Sequence, residues 1–143
     1  EIPLRLVGSE MCIRDSIKNV RTSNDWLTRD ETVVDEYNAG KLTTFLFTVN
    51  GYRGLMNMIL YVRKPRNIAK IPKNLPMLMV SGLDDPVGEY GKGVYRAYNT
   101  YHGHIDDIDL RLFEDCRHEL CNELNKEEIY EEIYGWIVDH MNK

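Results

Sequence analysis

The sequence has no long apolar run, few cysteines and no excess of positive charge, and each shortage removes a class of function. Without about 20 successive apolar residues there is no candidate transmembrane helix. The N-terminus also lacks the continuous apolar core of a signal peptide. Three cysteines, Cys12, Cys116 and Cys121, show no metal-ligand spacing, and an odd number makes a poor disulfide framework. The expectation is a reducing, cytoplasmic compartment. A net charge of −5 argues against a partner read through its phosphates, so nucleic acid is set aside.

What is present is the composition of a globular chain: 143 residues, 43% hydrophobic and 29% charged, enough for one domain with a core. The opening run Leu6-Val7-Gly8-Ser9-Glu10-Met11-Cys12-Ile13-Arg14-Asp15 back-translates to a string resembling a transposase adapter used in preparing DNA for sequencing. It has no helical or strand period either. Residues 1–16 are therefore expected to be an adapter artefact or a disordered tail, with the natural sequence entering near Ile17. Residues 17–70 read as a helical segment with its connector, and residues 71–143 as an α/β portion.

Hydrophobic spacing supports that division. Val33, Val34 and Tyr37 hint at a short helix. Leu42, Phe45, Leu46 and Val49 fall at i, i+3, i+4 and i+7, one face of a helix, and Asn50-Gly51 is expected to stop it. Leu55, Met58, Ile59 and Val62 repeat the spacing up to Pro65, which predicts a helical hairpin. Met77-Leu78-Met79-Val80, bounded by Pro76 and Ser81-Gly82, reads as a strand buried on both faces. Val94, Ala97, Tyr98 and Tyr101 share a helical face ahead of Gly103, and Ile108, Leu110 and Leu112 alternate as a strand does. Asn125 and Glu128 suggest a capping box opening a last helix with Ile129, Ile133, Trp136, Ile137 and His140 on one side. Strand, helix, strand, helix is the order of a parallel α/β sheet with flanking helices.

Reactive groups in such sheets collect beyond the carboxyl ends of the strands. Asp84-Asp85 follows the first strand, and Arg117-His118 follows the second. Adjacent parallel strands would bring Asp85 beside His118, where a carboxylate fixes the imidazole tautomer and leaves Nε2 to take a proton from a nucleophile. The plainer readings stay open: both aspartates could cap the following helix, and the histidine could be a satisfied, partly buried group.

Val80-Ser81-Gly82-Leu83-Asp84-Asp85-Pro86-Val87-Gly88 and Arg117-His118-Glu119-Leu120 with Asn122-Glu123 resemble the acid and histidine blocks of lysophospholipase and monoacylglycerol-lipase-like α/β-hydrolases. That group is also catalogued as serine aminopeptidase S33-type. The resemblance spans residues 17–143 and includes Ser23-Asn24-Asp25-Trp26-Leu27-Thr28-Arg29-Asp30. It implies the C-terminal part of an α/β-hydrolase fold plus a helical cap, with Asp85 as triad acid, His118 as general base and Asp84 in a supporting position. The cap would offer Phe45, Phe47, Leu55, Met56 and Met58 to an acyl chain, although these residues could equally just pack against the sheet. A departure is the nucleophile: the serines are Ser9, Ser16, Ser23 and Ser81, and none sits in Gly-x-Ser-x-Gly.

The resemblance thus implies an ester hydrolase acting on a small lipid-like or other acyl substrate, with transient contact at a membrane surface. This piece would be inactive without its serine. A serine peptidase and a non-catalytic ligand-binding member of the same fold are the alternatives. No cofactor or metal is expected. His102-Gly103-His104 with Asp106 and Asp107 lies in a loop without a remote ligand set, and Gly88, Gly91 and Gly93 lack the lysine of a phosphate loop.

Overall fold

The computed structural model describes residue 17, residues 20–43 and residues 45–141. The expectation for residues 1–16 falls outside that range.

The segment entering the fold is looped until Asp30, whose side chain accepts from the Thr32 and Val33 N–H groups and starts α1 (Glu31–Ala39). Glu31 in the first turn suits the helix dipole, and Val34 is the buried residue of this helix. The hint of a short helix becomes nine residues, closed by Gly40.

The expected hairpin is not formed. Residues 45–48 have no regular structure, and one helix, α2 (Val49–Val62), runs through Asn50-Gly51. Thr48 is the physical reason: its side chain accepts from the Gly51 N–H, so the glycine stands in a capped first turn and not at an end. Pro65 does not merely stop α2, because it also opens the short α3 (Pro65–Ile68), where a missing N–H costs nothing.

The α/β portion has the expected order. Strand β1 (Met77–Gly82), helix α4 (Lys92–His102), strand β2 (Ile108–Phe113), a 3₁₀ turn (Leu120–Asn122) and helix α5 (Lys126–Met141) follow in sequence. The strands pair in parallel from Met77 opposite Ile108 to Gly82 opposite Phe113. Side chains alternate across the two faces. On one face, α5 is held by Trp136 Nε1–H donating to Asp109 Oδ2 at 2.7 Å and by an Arg111–Glu132 ion pair at 2.9 Å. On the other, Gly91 sits against Leu112 at the start of α4. Burial of β1 differs from expectation: Met77 to Val80 are half-exposed, and only Ser81 and Gly82 are buried. Each strand has a single partner among the described residues, so one edge of each stays open.

The densest packing lies under the carboxyl end of the sheet. Cys116, Leu120 and Ile129 are buried there, with Val80, Phe113 and Ile133 against them. Asn125 stands before α5 as expected, but its Oδ1 accepts from Arg29 Nη2 at 2.7 Å and from the Cys116 thiol at 3.4 Å. Of the predicted apolar side of α5, Ile129 is buried, Trp136 stacks on His140 with ring centroids 3.9 Å apart, and Ile137 is exposed. Among the described residues, no helix is long and apolar enough to cross a membrane.

Candidate active site

In-register pairing of Gly82 with Phe113 sends the two chains off the sheet side by side. Leu83 N–H donates to Phe113 O at 2.9 Å, and Asp84 N–H donates to Cys116 O at 2.9 Å. Gly82 makes this closeness possible. A Cβ placed on it would lie 2.0 Å from Cys116 O and 2.4 Å from Arg117 O, inside any tolerable contact. Asp115, at φ 53, turns the second chain back toward the first.

Asp85 and His118 meet as the sequence predicts. The His118 Nδ1–H donates to Asp85 Oδ2 at 3.0 Å, and Asp85 Oδ1 accepts from the Val87 N–H at 2.8 Å. The Asp85 side chain is 8% exposed and that of His118 38%, so the acid is enclosed while the imidazole reaches solvent. Burial pushes the Asp85 carboxyl upward, but the bond from His118, the Val87 N–H and the imidazole's charge outweigh it and hold it below the usual carboxylate value. The hydrogen bond to Asp85 raises the His118 pKa against the opposing effect of its own burial. With Nδ1 donating, Nε2 is left to exchange a proton with whatever faces it.

Asp84 is exposed and contributes its backbone N–H to Cys116 O, a contact between the loops and not with the histidine. Ser81 is buried, and its hydroxyl donates to Gly82 O at 3.3 Å. Gly88 closes the acid loop tightly: a Cβ there would come within 3.2 Å of Asp85 Oδ2 and of Ser81 Oγ.

A second set of contacts fixes the histidine loop from outside, and only part of it was foreseen. Trp26 lies against the imidazole at a ring-centroid distance of 5.0 Å. Glu119 N–H donates to Leu27 O at 2.7 Å, and Arg117 Nη1 donates to Asp25 O and Thr28 O. Beneath them, the Glu123 carboxylate is wholly buried. It accepts from Arg117 N–H at 2.6 Å and from Arg29 Nε at 2.9 Å. Asp25, itself buried, folds its own loop by accepting from Arg21 N–H, Thr22 N–H and the Thr22 hydroxyl. Burial raises the Asp25 pKa, but those hydrogen bonds and the Arg21 charge bring it below the ordinary value. The sequence block containing Asn122-Glu123 marked the right place, yet nothing in its spacing pointed to Arg29, 94 residues away.

The five residues expected to line a cap lie on the surface. Phe45, Phe47, Leu55, Met56 and Met58 are all exposed, and Phe45 and Phe47 meet edge to face at 5.2 Å. A cleft of about 730 Å³ opens elsewhere, between Arg63 and Ile68 on one side and Val94 and Ala97 of α4 on the other. It reaches Val87 and Gly88 of the acid loop.

At the opposite end of the sheet, His140 Nε2 lies 3.3 Å from Asp107 Oδ2, and His140 Nδ1–H donates to Trp136 O at 2.7 Å. Ligand atoms of Asp107, Asp109 and His140 all lie within 4.8 Å of one another. The sequence offered Asp107 the histidines of its own loop. The fold brings one from α5.

Comparisons with known proteins bear on the family and the fold. Residues 5–125 match the family described as serine aminopeptidase, S33. A highly thermostable carboxyl esterase from Bacillus coagulans, solved with glycerol, superposes with TM-score 0.77 at 23% identity, over 99% of this chain and 46% of the esterase. A lipase in an open form gives TM-score 0.71 at 20% identity, over 96% of this chain and 50% of the lipase. Likeness at these identities speaks to the fold, and the chain spans about half the length of either structure. No curated protein matches the chain significantly. With the family matching most of its length, the chain belongs to the serine aminopeptidase S33 family of α/β-hydrolases.

Proposed function

We propose that Asp85 and His118 are the acid and base of a Ser-His-Asp triad in a carboxylic ester hydrolase of lysophospholipase or monoacylglycerol-lipase type. The observation that carries this reading is the 3.0 Å bond from His118 Nδ1 to a buried Asp85 carboxylate, beyond the ends of two adjacent parallel strands. The nucleophilic serine and the oxyanion donors come from sequence outside these 143 residues, so this piece by itself is inactive.

In the whole protein the serine Oγ attacks the ester carbonyl while His118 Nε2 takes its proton. Asp85 holds the ring and balances the imidazolium, which then protonates the leaving alcohol. Water, deprotonated by the same nitrogen, releases the acid and restores the serine. Phe45, Phe47, Leu55, Met56 and Met58 supply the apolar surface for an acyl chain. Transient contact with a membrane surface and a cytoplasmic location complete the reading, the latter suited by the unbridged Cys116 and Cys121.

The test is to recover the complete coding sequence, express the whole protein and treat it with a fluorophosphonate probe and with short- and long-chain esters. Labelling of a serine within Gly-x-Ser-x-Gly, abolished in His118→Ala, is the expected result. A complete protein without that pentapeptide, and without label, would end this reading. Faster turnover of aminoacyl amides than of esters would replace esterase with peptidase.

A further inference from the structure

Asp107, Asp109 and Arg111 stand two apart where the chain enters and runs along β2, so they share one face of the strand. Helix α5 covers that face, and Trp136 and His140, four apart, lie together on the side of the helix turned toward it. The groups of this cluster are already aimed. Trp136 Nε1–H donates to Asp109 Oδ2 at 2.7 Å, which fixes that carboxylate. The His140 side chain, 11% exposed, stacks on the indole and places its Nδ1 2.7 Å from Trp136 O.

A carbonyl oxygen can only accept, so Nδ1 carries a hydrogen, and Nε2 is the nitrogen turned to Asp107 Oδ2. In the neutral ring that nitrogen presents a lone pair to an anionic oxygen, which calls for a proton or a metal ion between them. The spacing tells the two apart. A hydrogen bond from imidazolium to carboxylate draws N and O to about 2.7–2.9 Å, and here they stand 3.3 Å apart. Donors about 2.0–2.1 Å from one tetrahedral zinc ion stand about 3.3–3.4 Å from each other. A ligand atom of Asp109 completes a set within 4.8 Å, near enough for one ion to reach all three. Arg111 does not take the ion's place, because its Nε is 2.9 Å from Glu132 while its Nη1 is 3.8 Å from Asp109 Oδ1. Two carboxylates and a neutral imidazole carry the charge that a divalent ion cancels. The imidazole favours zinc over calcium and magnesium, which prefer oxygen donors.

We propose that Asp107, Asp109 and His140 bind a zinc ion that pins the last turn of α5 to the entry of β2, leaving a fourth position for water. The bonds from His140 Nδ1–H to Trp136 O and from the Trp136 indole to Asp109 are the outer contacts that orient metal ligands. The length of β2 lies between this site and His118, and nothing in it draws on the relay, so either reading can fail without the other.

Calorimetric titration of the whole protein with zinc chloride, after stripping with a chelator, tests the site. One equivalent should bind with Kd below about 10 µM and raise the thermal midpoint by about 5 °C at saturation. Excess calcium or magnesium should not displace it. Trp136→Phe, which removes the indole N–H, should weaken binding by about tenfold, and Asp107→Asn and His140→Gln by more. His102→Gln, at the exposed end of α4, should leave binding unchanged. Asp107→Asn keeps the side chain's size, so its metal-free midpoint should stay close to the parent's while the rise with zinc is lost. No bound equivalent, binding that Asp107→Asn and His140→Gln leave intact, or displacement by calcium would overturn the proposal.

Discussion

Residues 21–30 and 114–125 are joined across some 90 positions of sequence by Arg29–Glu123, Arg117–Asp25, Thr28–Asn122 and Glu119–Leu27, nearly all of it half-buried or deeper. Helix α2 is tied mainly to itself, with Thr48 capping its first turn, Phe47 against Tyr52, and Asn67 of α3 bonded to Tyr61 O. The first region spends its polar groups on fixing one imidazole. The second leaves apolar groups in contact with solvent. Proton transfer tolerates little positional error, because a general base must lie within hydrogen-bond reach of its proton, and that demands cross-braced loops. The acyl-chain surface proposed for α2 needs area and adaptability, which its methionines and leucines provide.

The contrast can be broken most severely at the relay. In the whole protein, Asp85→Asn and His118→Ala should each lower turnover by on the order of 10⁴-fold, with Asp84→Asn within a few-fold of the parent. Equal losses at Asp84 and Asp85 would place the acid at the wrong residue. The next largest effect belongs to the brace: Glu123→Ala strands Arg29 in a part-buried site and should cost this chain about 3 kcal/mol in urea unfolding, near the low end for a broken buried pair. A change below about 0.5 kcal/mol would mean that Glu123 holds nothing.

The pH response sharpens the comparison further. Since hydrogen bonding to Asp85 raises the His118 pKa, imidazole NMR of this chain should show a midpoint above 6.5, falling in Asp85→Asn. The signs for stability follow from the same bond. The His118 contribution is full below its ordinary value and is lost as pH rises through the raised one. The Asp85 contribution is present above its ordinary value of about 3.9 and is lost as pH falls through the lowered one. The smallest effect belongs to the exposed helix: Leu60→Ser should change unfolding stability by less than about 0.5 kcal/mol, whereas Ile129→Ala in the core should cost about 2–5 kcal/mol.

The meeting of Asp85 with His118 is legible in the sequence because two facts about parallel sheets are local ones. A short apolar run ending at Ser81-Gly82 and an alternating run ending at Phe113 set the strand tips, and reactive side chains follow strand tips. The hairpin differs from the structure because its spacing is real while its boundary is not. Leu42, Phe45 and Leu46 keep helical period with Val49, but Thr48 offers a cap that restarts the chain, and asparagine-glycine was credited with ending what it helps begin. Depth of burial for Met77 to Val80 was also overestimated, since four apolar residues in a row say nothing about how many neighbours a strand has. The Arg29–Glu123 brace is beyond reach for a different reason: in sequence Glu123 looks like any surface acid until the distant guanidinium is known.

Trp26 against His118 gives the relay a property unrelated to hydrolysis. When the imidazole takes up a proton, a cation arises 5.0 Å from an indole ring, close enough for the two to interact and for the charged ring to quench the indole's emission. The chain's other tryptophan, Trp136, stacks on His140 with ring centroids 3.9 Å apart and adds an emission of its own. Replacing Trp136 with phenylalanine would leave a single lamp, dimming and brightening with the charge on His118.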